Sequence, residues 1–243
     1  MIKLGVAIVL RTKSQPNNFR NTLLSVISDS KINKVFMTYP YFYENKPYKC
    51  TMIDDITGEE YEQIKSAKYS VLDDGFLGHS LANCILNRTD FTVVTISSKS
   101  SEMWKKSYEN FAHKLYNKIQ GSRKNIKYEA YYTEKEKEKL HAKIFIGCVN
   151  NEPAFLVIGS SNLTNNAFGT FENFNYEADV ILWDDQKYKF DYSILQSDEL
   201  VPIIATANTP GVEGQYINHF YKQYASHFRD HIERIILDEI YDE

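Results

Sequence analysis

The hydrophobic and polar positions of the first 42 residues follow the pattern of a strand, a helix and a second strand. Residues 3–10 are a nearly continuous apolar run, which predicts a buried strand. Apolar residues at helical spacing then run from Asn17 or Asn18, either of which can cap a helix, to about Ser28. Residues 34–42 predict the second strand. This order predicts a crossover connection and therefore a partly parallel sheet.

The alternation of strands and helices continues to about residue 183, although residues 44–75 give no assignable pattern. The clearest helix is 102–119, whose apolar stripe we expect to face the core. Turn residues at 150–153 predict that the strands on either side form a hairpin. The apolar stripe of the predicted helix 102–119 consists of Trp104, Tyr108, Phe111 and Leu115. The other predicted elements are helices at 81–86 and 162–168 and strands at 91–96, 126–132, 142–149, 154–158 and 176–183.

These elements predict an α/β fold, an α/β/α sandwich around a mixed, partly parallel sheet. We expect residues 1–195 to form the main domain and residues 196–243 to form a helical extension packed on it. An apolar stripe in the extension predicts a long helix at 217–240. The stripe consists of Ile217, Phe220, Tyr224, Phe228, Ile232 and Ile235.

The composition is that of an ordinary globular protein, with 43% hydrophobic and 25% charged residues among 243. The apolar run at the amino terminus is too short to span a membrane, so no membrane association is expected. Three cysteines without a C-x-x-C pair indicate neither a disulfide framework nor a zinc site. We therefore expect a cytoplasmic protein.

The charge is unevenly distributed, although the net charge is only −4. Residues 99–127 contain eight basic and two acidic residues, and this basic segment can contact phosphates. Solvated lysines on an amphipathic helix explain the segment equally well. The candidate substrate-binding residues are Lys105, Lys106, Lys114, Lys118, Arg123 and Lys124.

The side chains best suited to catalysis gather in one stretch of the sequence. This stretch contains H-A-K-I-F-I-G-C at 141–148, G-S-S-N-L-T at 159–164 and N-Y-E at 175–177. His141 and Lys143 are two apart on a predicted strand, so both side chains point to one face. The predicted hairpin returns Ser160 and Asn162 to the same end of the sheet, where Glu177 opens the next strand.

These residue types suit phosphoryl transfer without a metal ion. A histidine can attack phosphorus when a carboxylate holds its other ring nitrogen. A lysine and an asparagine amide can bind the non-bridging oxygens, where charge accumulates, and a serine hydroxyl adds a donor. We therefore predict no metal and no other cofactor.

The stretch resembles the phospholipase D superfamily, whose motif is H-x-K-x4-D-x6-G-S-x-N. His141, Lys143, Gly159, Ser160 and Asn162 match this motif in order. The longer sequence G-S-S-N-L-T-x-x-A-F, followed by N-x-E, is similar to that of phospholipase D-like nucleases, including metal-independent restriction endonucleases.

The resemblance implies a role for each candidate residue. His141 attacks the phosphodiester and forms a phosphohistidine, Glu177 orients the ring of His141, and the remaining three residues hold phosphate oxygens. Those three are Lys143, Ser160 and Asn162. Of the six histidines in the chain, only His141 is followed by x-Lys, whereas the superfamily's reaction uses two such motifs. The resemblance therefore implies a homodimer in which two copies of the chain share one active site.

The chain departs from the superfamily motif at two points. Cys148 stands at the position of the aspartate, and ten residues, 149–158, separate it from Gly159 where the family has six. The extra residues fit in the predicted hairpin turn. The missing aspartate leaves open a catalytically silent copy of the fold.

The sequence thus predicts a phosphodiesterase that acts on nucleic acid, with DNA preferred over RNA. Three features favour nucleic acid over lipid as the substrate. They are the residues of the motif, the basic segment and the lack of an apolar membrane-binding stretch. Two alternatives stay open. One is a silent or partner-dependent nucleic-acid-binding subunit, and the other is a phospholipid phosphodiesterase. A restriction or defence role follows from family likeness alone.

Overall fold

The computed structural model defines eleven strands and four α-helices within the residues that it describes. These residues are 4–11, 18–44, 48–54, 56–65, 70–73, 80–99, 101–133, 140–168, 175, 177–195, 203–207 and 232–234. The strands are β1 Leu4–Arg11, β2 Lys34–Thr38, β3 Tyr48–Ile53, β4 Glu60–Lys65, β5 Phe91–Ser97, β6 Ile126–Thr133, β7 Ile144–Val149, β8 Glu152–Gly159, β9 Glu177–Asp184, β10 Ile203–Ala207 and β11 Ile232–Arg234. The helices are α1 Asn18–Ser28, α2 Leu81–Leu86, α3 Glu102–Gln120 and α4 Asn165–Phe168, with a 3₁₀ helix at Tyr192–Leu195.

Nine of the described strands form one mixed sheet in the order β10-β1-β9-β8-β7-β2-β5-β6-β11. Strands β2, β5 and β6 are parallel neighbours, and the other neighbouring pairs are antiparallel. The predicted α/β class with a partly parallel sheet is confirmed. Strands β3 and β4 form a separate hairpin in the region that had no assignable pattern.

Helices α1, α2 and α3 pack side by side on one face of the sheet. The main core lies beneath them and joins Val9, Val35 and Val93 of the strands to Leu23 and Phe111 of the helices. On the other face, two smaller apolar clusters contain no residue of the described helices. The described residues therefore supply one helical layer, and a second layer of the predicted sandwich is not among them.

One edge of the sheet, which we call the motif edge, brings together the strand ends that carry the motif. There β1, β2, β5, β6 and β8 end, while β7 and β9 begin, because the parallel and antiparallel registers align these ends. The register pairs Thr38 of β2 with both Ile96 of β5 and Ile144 of β7. The opposite edge, which we call the far edge, contains Cys148.

Helix α3 shows where the predicted apolar stripe meets the core. Tyr108, Phe111 and Leu115 are fully buried, as predicted. Trp104 was expected in the core, but it is half-buried in the first turn of the helix, where its ring lies 4.7 Å from that of Tyr41. The first turn therefore packs on the segment after β2 rather than on the sheet.

The predicted C-terminal helix is wrong at the residues that the structure describes, and the rest of 217–240 lies outside the described residues. Ile232–Arg234 form β11, which pairs with the outer side of β6. Strand β10, also in the predicted extension, pairs with β1 at the other side of the sheet. The physical reason is that an unpaired strand edge offers backbone hydrogen bonds, which override helical periodicity. The domain boundary at 195 stays a prediction.

Candidate active site

The described fold brings all five predicted catalytic residues to the motif edge. His141 and Lys143 immediately precede β7, Ser160 and Asn162 follow β8, and Glu177 is the first residue of β9. Two backbone hydrogen bonds join these segments. The Gly159 amide donates to the Lys143 carbonyl at 3.2 Å, and the Ser160 amide donates to the Ala178 carbonyl at 3.0 Å.

His141 and Lys143 contact each other directly. His141 is exposed, whereas Lys143 is buried. The Lys143 ammonium lies 3.1 Å from Nδ1 of His141 and donates to the His141 carbonyl at 3.0 Å. Burial lowers the pKa of Lys143 below its ordinary value, and the nearby charge of Glu177 opposes this shift. With an ammonium at Nδ1, a neutral imidazole carries its proton on Nε2.

Glu177 is held by Ser160 rather than by His141. The Ser160 hydroxyl donates to Oε2 of Glu177 and accepts from the Ala178 amide at 3.0 Å. Lys143, not Glu177, lies at hydrogen-bond distance from Nδ1 of His141. The orienting role predicted for Glu177 therefore stays a prediction, and its present contact fixes the Ser160 side chain.

A second carboxylate, Asp179, lies beneath the motif and was missed by the sequence analysis. It is buried on the same face of β9 as Glu177, and it accepts from the Ser161 hydroxyl at 2.6 Å and from the Ser161 amide at 3.3 Å. Gly159 is its register partner, and a Cβ there would overlap the Asp179 carboxylate. The glycine of G-S-S-N is therefore needed so that the carboxylate can reach Ser161. The sequence signal that could have revealed Asp179 is its position two residues after Glu177, which places both side chains on one face of a strand.

Arg11 is another charged residue at the motif edge that the sequence analysis did not select. Its side chain is 1% exposed, and it pairs in register with Glu177 across β1 and β9. One guanidinium nitrogen donates to the Asn175 carbonyl at 3.1 Å. Arg11 thus links the first strand to the N-Y-E segment. Only the strand register reveals that Arg11 pairs with Glu177, since the two residues are 166 positions apart in sequence.

Asn162 has the hydrogen-bonding state expected of a ligand-binding amide. The residue is half-buried, and within the described part of the chain no group hydrogen-bonds to its buried Oδ1 atom. A buried amide without a partner carries an energetic cost that a bound ligand can remove. The amide can turn to present either its oxygen or its NH₂ group to that ligand.

Cys148, the residue at the position of the motif aspartate, is distant from this cluster. It is fully buried near the far edge and packs with Ile146 and Leu156. Five residues of strand separate it from Lys143, which corresponds to about 16 Å. Burial raises the pKa of the Cys148 thiol to about 12, so this thiol is neutral. The departure from the motif therefore removes no group from the cluster.

The basic residues predicted to bind substrate do not line one path, because the crossover helix carries most of them away. Helix α3 has 19 residues and extends about 28 Å from the motif edge toward the far edge. Lys114 and Lys118, in its second half, both form ion pairs with Asp73. Arg123 and Lys124 follow the end of the helix. The substrate-binding role of these four residues stays a prediction, and they lie away from the motif edge.

The first turns of α3 keep two of the six basic residues at the motif edge. Lys105 is half-buried there. Lys106 is exposed and forms an i,i+4 ion pair with Glu102 at 3.6 Å. Exposed pairs of this kind contribute little to stability, so Lys106 stays available to a polyanion.

The described residues present no arrangement of three or more histidine, cysteine, aspartate or glutamate side chains that could hold a metal ion. Within the same residues, no helix has the length and apolarity needed to cross a membrane.

Asp179→Asn is expected to gain stability relative to the wild type as the pH rises from about 4 to 6. Burial raises the pKa of Asp179 from 3.8 to about 6, and the charge of Glu177 adds to the shift. The folded protein therefore retains a proton that the unfolded chain releases, so wild-type stability falls across this window. The shift corresponds to about 3 kcal/mol. Urea unfolding of both proteins across this pH range measures the difference.

Asparagine keeps an oxygen that can accept from Ser161, so the variant is expected to fold. Asp90→Asn is the control, because Asp90 is an exposed aspartate. A constant stability difference between wild type and Asp179→Asn at every pH would contradict the titration of Asp179.

The sheet and the cluster at its motif edge define the protein as a phosphodiesterase of the phospholipase D type. The family model "Tyrosyl-DNA phosphodiesterase" matches residues 72–219, more than half of the chain. The chain therefore belongs to the tyrosyl-DNA phosphodiesterase family, and the resemblance to the phospholipase D superfamily is confirmed. No curated protein sequence is significantly similar to the chain.

Several solved structures are similar to this chain at low sequence identity. NucT from Helicobacter pylori is 15% identical, with a TM-score of 0.47 over 96% of this chain and 99% of NucT. Polyphosphate kinase from Porphyromonas gingivalis is 10% identical, with a TM-score of 0.48 over 94% of this chain and 26% of the kinase. Yeast tyrosyl-DNA phosphodiesterase is 13% identical, with a TM-score of 0.39 over 75% of this chain and 46% of the yeast enzyme. The chain thus spans less than half the length of the last two proteins.

Proposed function

We propose that the protein is a metal-independent nuclease that cleaves nucleic acid through a phosphohistidine on His141. The observation that carries the proposal is the convergence of His141, Lys143, Ser160, Asn162 and Glu177 at the motif edge. The family match supports nucleic acid as the substrate. DNA is the preferred substrate, with RNA as the alternative.

The proposed reaction has two steps. In the first, Nε2 of His141 attacks phosphorus, the P–N bond forms, and the bond to the leaving oxygen breaks. A second histidine gives its proton to that oxygen. In the second step the same histidine takes a proton from water, the water oxygen attacks phosphorus, and the P–N bond breaks. This cycle restores both histidines, as general acid–base chemistry requires.

Both roles of His141 require a change of contact at Nδ1, where the Lys143 ammonium lies. The histidine that protonates the leaving oxygen is an imidazolium, with a proton on each ring nitrogen; it gives up the Nε2 proton and remains as a neutral imidazole. Attack requires the proton on Nδ1, where Glu177 would accept it after a side-chain rearrangement. We therefore propose that two copies of the chain form a homodimer, in which one His141 attacks and the other protonates.

The remaining residues of the cluster bind the phosphate. The Lys143 ammonium supplies positive charge to the non-bridging oxygens. The Asn162 amide, whose Oδ1 has no partner among the described residues, donates a hydrogen bond from its NH₂ group to the same oxygens. The Ser160 hydroxyl donates its one proton to Glu177, so it becomes a donor to a phosphate oxygen when Glu177 turns to His141. The burial of Cys148 at the far edge supports an active protein over a silent one, since the cluster is complete without an aspartate at that position.

A cytoplasmic location is part of the proposal. Cys84 and Cys148, the cysteines whose side chains the structure describes, are buried and unbonded. Thiols in this state suit a reducing compartment.

The direct test is a cleavage assay in the presence of EDTA with single-stranded DNA, duplex DNA, RNA and phospholipid vesicles as substrates. We expect cleavage of nucleic acid that is insensitive to EDTA, together with an acid-labile phosphohistidine that a quenched reaction traps on the peptide containing His141. Loss of cleavage in EDTA would overturn metal independence. Headgroup release from vesicles without nucleic acid cleavage would overturn the substrate class.

The shared active site predicts how activity depends on subunit mixing. Wild-type and His141→Ala chains, co-expressed in equal amounts, form only about one quarter wild-type dimers if subunits pair at random. Activity per total protein is therefore expected to fall to about one quarter of the wild-type value. A fall to about one half would show that each chain acts alone, and the homodimeric site would be abandoned.

A further inference from the structure

Two half-buried aromatic side chains lie at the motif edge beside the catalytic cluster. Tyr41 follows β2, and Trp104 lies in the first turn of α3. Their ring centroids are 4.7 Å apart, and the ring planes are inclined by 43°. By contrast, Trp183, the other tryptophan, is 1% exposed in the core. Trp104 and Tyr41 thus form an aromatic pair that solvent reaches.

A parallel bridge places this pair next to the motif. Phe42 pairs with Leu163, and the Tyr43 amide donates to the Leu163 carbonyl at 2.8 Å. The residues before each partner, Tyr41 and Asn162, are therefore neighbours about 5 Å apart. Phe42 and Leu163 are fully buried in the main core, so alternation directs Tyr41 and Asn162 away from it.

The charge around the pair suits a polyanion. Lys105 is next to Trp104 in sequence and is half-buried. Lys99, which follows β5 at the same edge, places its ammonium 5.4 Å from the ring centre of Tyr132. Aromatic faces beside lysines form the surface on which proteins stack the bases of single strands. A purely apolar ligand would gain nothing from the two lysines.

We infer that Tyr41 and Trp104 form a stacking subsite for an unpaired nucleobase of the strand whose phosphate the cluster holds. The inference rests on the proposed nuclease function and adds to it a preference for unpaired nucleotides. A phosphate held by Asn162 and Lys143 leaves the base of an adjoining nucleotide within reach of Tyr41. Bases in a duplex are already stacked on each other and cannot use this surface.

Binding is tested with His141→Ala protein, which prevents cleavage during the titration. A labelled single-stranded oligonucleotide and an abasic strand of the same length are compared by fluorescence anisotropy. We expect Trp104→Leu, in this background, to weaken binding of the base-containing strand by about 5- to 100-fold. The abasic strand is expected to bind both proteins with affinities that differ by less than about twofold, because no base is present to stack.

The tryptophan emission gives an independent signal. Stacking is expected to quench the emission of Trp104, and Trp104→Phe is expected to remove the quenching while it keeps an aromatic face and most of the affinity. Tyr61→Leu is the matched control, because Tyr61 is an exposed aromatic residue on β4, outside the sheet that carries the motif. The Tyr61→Leu protein should bind the base-containing and the abasic oligonucleotide with the affinities of the parent protein.

Equal losses on the base-containing and abasic strands, or no loss on either, would overturn the stacking subsite. Equal binding of single strands and duplex by the parent protein would overturn it as well. These outcomes are separate from failure of the proposed function, which the wild-type cleavage assay measures. Cleavage without stacking would reject only the subsite, and stacking without cleavage would reject only the nuclease reaction.

Discussion

Replacing His141 by alanine is expected to lower the rate of phosphodiester cleavage by on the order of 10⁴-fold or more, because the variant has no group to form the proposed covalent intermediate. Its folding is expected to be unaffected. His141 is exposed, and among the described residues its side chain hydrogen-bonds to Lys143, so the free energy of unfolding should change by less than about 0.5 kcal/mol. Single-turnover kinetics and urea unfolding measure the two quantities.

His113→Ala is the matched control for the loss of a histidine. His113 lies in the middle of α3, within the helical layer and away from the motif segments. Its rate of cleavage should remain close to that of the wild type. Cleavage by a folded His141→Ala protein at more than about one hundredth of the wild-type rate would refute the nucleophilic role of His141.

Lys143→Met is expected to lower kcat/KM by about 10²- to 10³-fold. The ammonium is buried beside His141, the proposed nucleophile, where a positive charge attracts a phosphate oxygen more strongly than it does in water. Methionine matches the length of the lysine stem but has no charge. Since burial disfavours the charged lysine while Glu177 attracts it, removing the charge should change the free energy of unfolding by only about 1 kcal/mol.

Lys34→Met controls for the general loss of a strand lysine. Lys34 begins β2 at the far edge, where it pairs in register with Cys148. The kcat/KM of Lys34→Met should match that of the wild type, and any loss of salt-dependent binding to nucleic acid should be small. If Lys143→Met retained wild-type kcat/KM while Lys34→Met did not, phosphate binding would have to be assigned to another part of the chain.

The sequence predicted most of the secondary structure between residues 18 and 184, because burial there is periodic. The apolar positions of α3 repeat every three or four residues, and the bounds of this helix were predicted to within one residue at its end. The hairpin of β7 and β8 followed from turn chemistry, and Asn150 and Asn151 adopt the positive φ angles that such turns favour. Local interactions determine these features, so sequence alone reveals them.

Tertiary contacts decided two features that the sequence pattern does not show. The apolar stripe at 217–240 has helical spacing, but Ile232–Arg234 add to the edge of the sheet because β6 offers unpaired backbone groups. The basic segment is continuous in sequence, but α3 runs from the motif edge to the far edge and therefore places Lys118 and Lys124 far from His141. Neither the edge partner nor the direction of a crossover is encoded in periodicity.

By itself, the sequence predicted which residues carry the chemistry, and it predicted that they meet at one end of a sheet, where the fold places them. The spacing of His141 and Lys143 predicted that the two side chains lie close together, and a hairpin must return Ser160 and Asn162 to the end where it began. Only the tertiary structure decided what supports them. Arg11 reaches the Asn175 carbonyl because β1 pairs with β9, and Asp179 reaches Ser161 only because Gly159 opposes it. Registers between distant strands are set by packing of the whole core, and for that reason the sequence of any one segment does not contain them.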